Sequence, residues 1–169
     1  IFRLEENLNL DKKTLVILRW IAIFGQLFSV NLVYFFLDLN FPVLLCHIVI
    51  FVGLFTNIYL QFGLKANLLK DLYSSSFLMY DIIQLSILLF LTGGIFNPFA
   101  ILLIVPTIVS STFLSMGSTI ILGTSTIILL FVLTFFNLPL PGMEEYVLSF
   151  PNYYVTGIFF SLIIGLIFL

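Results

Sequence analysis

Charge is what this sequence has least of. Of its 169 residues, only 8% are charged and 62% are hydrophobic. A soluble domain carries about 25% charged and about 45–50% apolar residues. Even a folded protein needs polar groups to cover its surface, so a water-soluble fold of this size is excluded and a lipid bilayer is the solvent that suits the composition. Basic clusters are missing as well. The formal net charge of −2 is uninformative by itself, but no basic patch exists to neutralise phosphates, so no nucleic-acid partner is expected. The single cysteine, Cys46, can form no internal disulfide and reads as a small hydrophobe within an apolar run. The single histidine, His47, has no carboxylate at i±4 and gives no metal or haem signal. No cleavable signal peptide is visible in these residues: the N-terminal ones are charged, and the first apolar run is long and lacks a small-residue cleavage site. No internal or inverted repeat of the transporter kind is apparent. The chain opens on Ile1 and stops in an apolar run, which reads as a domain within a longer protein, residues 1–169 forming one unit.

What is there is a series of long apolar runs. A helix needs about 20 apolar residues to span a bilayer, within a range of about 17–25. Six segments approach that length, at 15–37, 41–62, 76–91, 98–114, 118–136 and 153–169. The third is short and can extend backward through Tyr73. The fourth contains Pro106, which removes a ladder hydrogen bond and predicts a kink. All must be helices, because lipid satisfies no exposed backbone group and no strand alternation is present. The expected fold is therefore all-α, a polytopic bundle of six transmembrane helices. All six Lys and Arg residues fall on one side: Arg3, Lys12, Lys13 and Arg19 before or at the start of the first helix, and Lys65 and Lys70 between the second and third. The other side carries Asp38, Glu144 and Glu145 and no basic residue. The positive-inside rule places the N-terminus in the cytoplasm, and an even helix count returns the C-terminus there. Trp20, and Tyr153 and Tyr154 at the opposite surface, fit interfacial anchors. The outer loop at 137–152, with Pro139, Pro141, Gly142 and Pro151, is too small for a soluble ligand-binding domain.

The most informative stretch links the third and fourth segments: Gly93-Gly94-Ile95-Phe96-Asn97-Pro98-Phe99. Glycine readily takes positive φ where a helix ends. Asn97 is a good N-cap, and Pro98 suits the first helical position. The hairpin is expected to present free N–H groups and the partial positive end of the fourth helix at the interface, flanked by Phe96 and Phe99. Such a place suits a flat lipid-soluble ring with carbonyl acceptors. It equally suits an ordinary tight turn.

Asp81 lies about 15 Å below the outer end of the third helix, near mid-membrane, with Gln84 on the same face at i+3. An acid there is expensive and is a functional candidate by default, either as a proton donor or acceptor or as a polar clamp between helices. His47 lies within about two turns of the outer surface and reads as structural or as a titrating group. Thr107, Ser111 and Ser115 form a row at i, i+4 and i+8 that reads as packing, as do Asn57 and Gln61. Gly157, Ser161 and Gly165 form a small-residue row that suits either a dimer face or close packing within the bundle.

The stretch Gly-Gly-x-x-Asn-Pro-Phe at 93–99 resembles the heptapeptide of the RegB/PrrB class of redox-responsive sensor histidine kinases. Leu18-Arg19-Trp20 and Gly25-Gln26 resemble the start of that family's first helix, and Asp81-Ile82-Ile83-Gln84 resembles its third, so the likeness covers essentially the whole chain. The resemblance implies a transmembrane redox-sensing domain of the bacterial inner membrane, followed by cytosolic kinase domains that autophosphorylate on histidine with ATP. It implies ubiquinone as the sensed ligand, with Gly93, Gly94, Asn97, Pro98 and Phe99 carrying that role. It also implies a homodimer and a cognate response regulator. The family's redox-active cysteine lies in the kinase portion and does not correspond to Cys46. The segment itself has no catalytic residues, no phosphoacceptor context and no metal set. The rival reading is a small transporter or channel-like protein with Asp81 and His47 in a proton or ion path.

Overall fold

The computed structural model describes residues 10–36, 39–65, 67–138 and 152–167, and the side chains of all of these except 152–154. The expectations for Arg3, Asp38, Glu144, Glu145 and the prolines at 139, 141 and 151, and for the side chains of Tyr153 and Tyr154, lie outside what is described.

The described chain is helical apart from short connections. The helices are α1 (Lys12–Phe36), α2 (Val43–Ile58), α3 (Asp71–Leu91), α4 (Val105–Phe113), α5 (Met116–Phe135) and α6 (Asn152–Ile167). A π-helical turn, Tyr59–Gly63, continues α2, and a 3₁₀ stretch, Pro98–Ile104, leads into α4. Four helical stretches are long and apolar enough to cross a membrane: Lys12–Phe36, Val43–Gly63, Asp71–Leu91 and Met116–Phe135. The two remaining apolar helices, Pro98–Phe113 and Val155–Ile167, are shorter. The third helix begins at Asp71, five residues before the expected 76. Pro106 marks the place where the fourth segment changes from 3₁₀ to α-helical bonding, which agrees with a residue that donates no N–H to the ladder.

One end of the bundle gathers the basic residues. β1 (Leu10–Asp11) and β2 (Leu68–Leu69) form a two-residue antiparallel pair, with Leu10 opposite Leu69 and Asp11 opposite Leu68. This pairing was not foreseen in the sequence. It stitches the start of α1 to the start of α3. Lys12 adds a second tie, its Nζ donating to Gln61 O at 3.0 Å and Leu64 O at 2.5 Å. The last carbonyls of a helix have no internal partners, and a cation answers both their lone pairs and the helix dipole. At the same end, Asp71 accepts from Ser115 N at 2.7 Å, from Ser115 Oγ at 2.9 Å and from Ser118 Oγ, which joins the start of α3 to the start of α5. This end, with Lys12, Lys13, Lys65 and Lys70, is called the basic end below.

Two apolar clusters meet at α3. The larger apolar cluster runs through α3, α5 and the fourth segment, with Leu78, Ile82, Leu103, Leu122, Leu130 and Leu162, and reaches α1 and the π-helical turn at the basic end through Leu15, Val16 and Leu60. A smaller one joins α1, α2 and the far end of α3 through Ile23, Val30, Cys46, Ile50, Leu88 and Leu91. Many large apolar side chains face outward, among them Phe24, Phe28, Phe55 and Phe131. Such an exterior is unstable in water and natural in lipid. Cys46 is free and buried in the smaller cluster, in agreement with its reading as a hydrophobe.

Candidate functional site

The 93–99 hairpin lies at the end opposite the basic one. Gly93 has φ 102° and Gly94 φ 61°, so both occupy the region glycine tolerates. At Gly94 space decides as well: a Cβ there would sit 2.6 Å from Leu133 O and from Asn137 Cβ, at the end of α5. Asn97 holds the turn together. Its Oδ1 accepts from Phe99 N at 2.9 Å, while its Nδ2 donates to Thr92 O at 3.0 Å and to Thr92 Oγ1 at 2.8 Å. Leu138 N donates to Phe90 O at 2.8 Å and pins the end of α5 to the end of α3. The expected turn glycines, N-cap and first-position proline are all present.

The expectation of free amides at the start of the fourth segment needs correction. Pro98 has no N–H, the Phe99 amide is taken by Asn97 Oδ1, and the Ala100 amide is bonded to Asn97 O at 2.9 Å. The tight 3₁₀ start uses these donors internally. What the hairpin offers outward is apolar: Pro98 is exposed and Phe99 is 40% exposed, whereas Phe96 is half-buried against the larger cluster. Of the two flanking aromatics, Phe99 is the more accessible.

Arg19 also needs correction. It lies seven residues past Lys12 in α1, about 10 Å up the helix, and is only 4% exposed. It is a buried side chain rather than a surface charge. Its Nε donates to Asp81 Oδ1 at 2.9 Å and its Nη2 to Thr56 Oγ1 at 2.8 Å. Its guanidinium also lies over Phe77 and Tyr80, at 5.3 and 5.5 Å from their ring centroids. Asp81 is ten residues from either end of α3, about 15 Å from each, and its side chain is 22% exposed. The pair was missed because its members are 62 residues apart. A signal did exist, since an Arg and an Asp that both fall within apolar helices each require a partner.

Other polar groups line the same seam between α1, α2 and α3. Trp20 Nε1 donates to Gln61 Oε1 at 3.3 Å, and Asn57 Nδ2 to Val16 O at 3.3 Å. Gln84 Nε2 donates to Gln26 Oε1 at 3.1 Å, over Gly53, where a Cβ would come within 2.5 Å of the Gln84 amide. Gln84 shares a helix with Asp81 but takes a different partner. At the far end, Asn31 Nδ2 lies 3.3 Å from His47 Nε2, and His47 Nδ1 lies 2.8 Å from Val43 O. A carbonyl neighbour assigns the hydrogen to Nδ1, which leaves Nε2 to accept from Asn31. His47 thus has partners at both ring nitrogens, and it and Asp81 belong to separate hydrogen-bonded groups. No group of three or more potential metal ligands occurs among the described residues.

The remaining polar rows separate. Thr107 Oγ1 meets Thr126 Oγ1 at 3.2 Å, Ser111 bonds to Ile108 O within its own helix, and Ser115 caps α5. Asn57 and Gln61 both face α1. The α6 row splits as well. Gly157 and Ser161 are exposed, while Gly165 faces Ile104, whose Cδ1 a Cβ would meet at 3.6 Å. An open groove of about 460 Å³ lies on the far half of α1, lined by Phe24, Phe28, Asn31 and Phe35 among others.

The chain is 35% identical over 158 residues to Sensor histidine kinase RegB of Cereibacter sphaeroides, an alignment that takes in 93% of this chain and 34% of that protein. The chain therefore spans about a third of the length of the relative it matches. No family model matches it, and no solved structure matches it.

Proposed function

We propose that this chain, a RegB/PrrB-type sensor domain along nearly its whole length, reports the redox state of a membrane quinone pool to a histidine kinase. The observation that carries the reading is the 35% identity over 93% of the chain to a sensor histidine kinase. Its apolar exterior and its four helices of spanning length fit a domain that works within the bilayer. In the proposed topology all six helical segments cross the bacterial inner membrane, with the basic end in the cytoplasm. The 93–99 hairpin then lies at the outer interface, within reach of a lipid-soluble quinone.

In this reading the quinone ring rests on Phe99 and Pro98. The hairpin, braced by Asn97 against Thr92, is the rigid element that feels it. Quinone and quinol differ in that one only accepts hydrogen bonds while the other also donates. If each favours a different arrangement of the helices, their ratio sets the balance between signalling states. Helix α6, packed through Leu162 and Leu166 with Gly157 and Ser161 facing outward, is the proposed route to kinase domains, a partner copy and a response regulator. The transporter alternative gains no support, because Asp81 and His47 are engaged in separate groups.

The test is binding of a ubiquinone analogue to the protein in lipid nanodiscs. Phe99→Ala is expected to weaken binding by about tenfold, the equivalent of one lost aromatic contact. Asn97→Ala is expected to weaken it further by loosening the turn. Unchanged affinity in both variants removes the hairpin assignment.

A further inference from the structure

The Arg19–Asp81 pair is an odd way to hold two helices together in an apolar medium. Apolar residues of similar volume would do so at least as well, because the desolvation of two charges offsets most of their attraction. The pair is also incompletely satisfied: Arg19 Nη1 is buried and has no hydrogen-bond partner. Around Asp81 the charged or titratable groups among the described residues are Arg19 from α1 and Tyr80 from α3 itself, with neutral Thr56 on the α2 side. Arg19 is therefore the one cation beside the carboxylate among the described residues.

The two partners have unequal alternatives. Asp81 is about 15 Å from either end of α3, and its short side chain cannot reach an aqueous surface. Arg19 is about 10 Å from the start of α1, on a long side chain that can extend toward the headgroups at the basic end. The contacts between α1 and α3 favour movement. α1 packs mainly on α2, and its described side-chain hydrogen bonds to α3 are Arg19 to Asp81 and Gln84 to Gln26. Opening the first leaves, beyond the β1–β2 pair at their starts and shared apolar contact, a single neutral side-chain bond between the two helices.

We propose that the Arg19–Asp81 pair is a proton-operated latch, in which a proton taken up on the Asp81 carboxylate releases Arg19 toward the basic end and loosens α1 from the middle of α3. One proton from the aqueous phase forms one O–H bond on Asp81, and the guanidinium keeps its charge and changes only its partner. The domain then responds to acidity whether or not a quinone is present.

Trp20, the chain's one tryptophan, adjoins Arg19 and bonds to Gln61, so its fluorescence reports the state of α1. The experiment is an acid titration of the protein in quinone-free nanodiscs, with helix content followed by circular dichroism. The wild type is expected to change emission along a single titration curve. Asp81→Asn is expected to show the acid-form emission throughout and to lose the titration, and Asp81→Glu to keep one. A wild type whose emission stays flat, or an Asp81→Asn variant that titrates like the wild type, overturns the latch. The wild-type arm decides alone if a variant does not fold. Because no quinone is present, failure here leaves the quinone reading standing, and failure of quinone binding leaves the latch untouched.

Discussion

The two faces of α3 join their neighbours with different chemistry. Toward α1 and α2 the links are long and polar: an arginine to an aspartate, a glutamine to a glutamine, and a tryptophan to a glutamine between α1 and α2. Toward α4 and α5 the packing of α3 is close and rich in leucine, with Asp71 bonded to Ser115 and Ser118 at its start, and α4 and α5 are joined to each other by short hydroxyls, Thr107 meeting Thr126 and Ser110 meeting Thr119 at 3.0 Å. Short hydroxyls let backbones approach and leave little freedom. Long side chains bridge α1 and α3, which touch little, and have other rotamers to adopt. The comparison teaches that one face of α3 is built to be fixed and the other to be reset. The 93–99 hairpin belongs to the fixed side, since Gly94 packs against the end of α5.

The largest expected effect breaks the polar face. Removing one partner of a buried ion pair costs about 3–5 kcal/mol, because the other charge is left without compensation. Arg19→Met strands Asp81 in mid-helix and should approach that figure. Asp81→Leu should cost less, because Arg19 can extend toward the basic end. The double variant Arg19→Met/Asp81→Leu should be as stable as the wild type or more so. Thermal unfolding in one detergent, with all four proteins side by side, checks the order. Equal losses in the two single variants would show that Arg19 has nowhere else to go.

This asymmetry marks where the sequence is readable. Helix positions follow from apolar runs of spanning length, and the hairpin caps follow from Gly, Asn and Pro acting within a few residues of themselves. Both are local, and the helical segments and caps are present, although only four of the six segments reach spanning length. The pairing of Arg19 with Asp81 is not local. Counting Arg19 among the surface charges made it evidence for orientation when it is a buried contact. The donors expected at the hairpin were misjudged for a related reason: the cap was identified, but a 3₁₀ start and a bonded Ala100 amide depend on backbone geometry that residue identity does not fix. The β1–β2 pair, two residues long, is below the reach of any periodicity.

An intermediate effect sharpens the same face. Gly53 is buried on α2 beneath Gln84, and a methyl group there would come within 2.5 Å of the amide. Gly53→Ala must displace Gln84 and disrupt its bond to Gln26. Overpacking of this kind costs about 1–3 kcal/mol. The far end of the amide is movable, so the lower part of that range is expected. A loss of stability that vanishes in the Gln84→Ala background would assign the effect to this contact, because the smaller side chain leaves room for the methyl group. An undiminished loss would assign it to α2 itself.

The smallest effect probes the fixed face. Thr107→Val keeps the shape of the side chain and removes one hydroxyl from the Thr107–Thr126 pair. Thr126 also donates to Leu122 O at 2.9 Å in its own helix, so it is not left without a partner. Hydrogen bonds between membrane helices contribute about 0.6 kcal/mol on average, and the change should be no larger. If close packing holds this face, Thr107→Val will barely move the unfolding midpoint, while Leu122→Ala, which opens a cavity in the buried cluster, will cost about 2–5 kcal/mol. A threonine effect as large as the leucine one would mean that hydroxyl pairs, rather than apolar contact, fix the fourth segment to α5 beside α3. The distinction between the two faces would then lie in the length of their polar links alone.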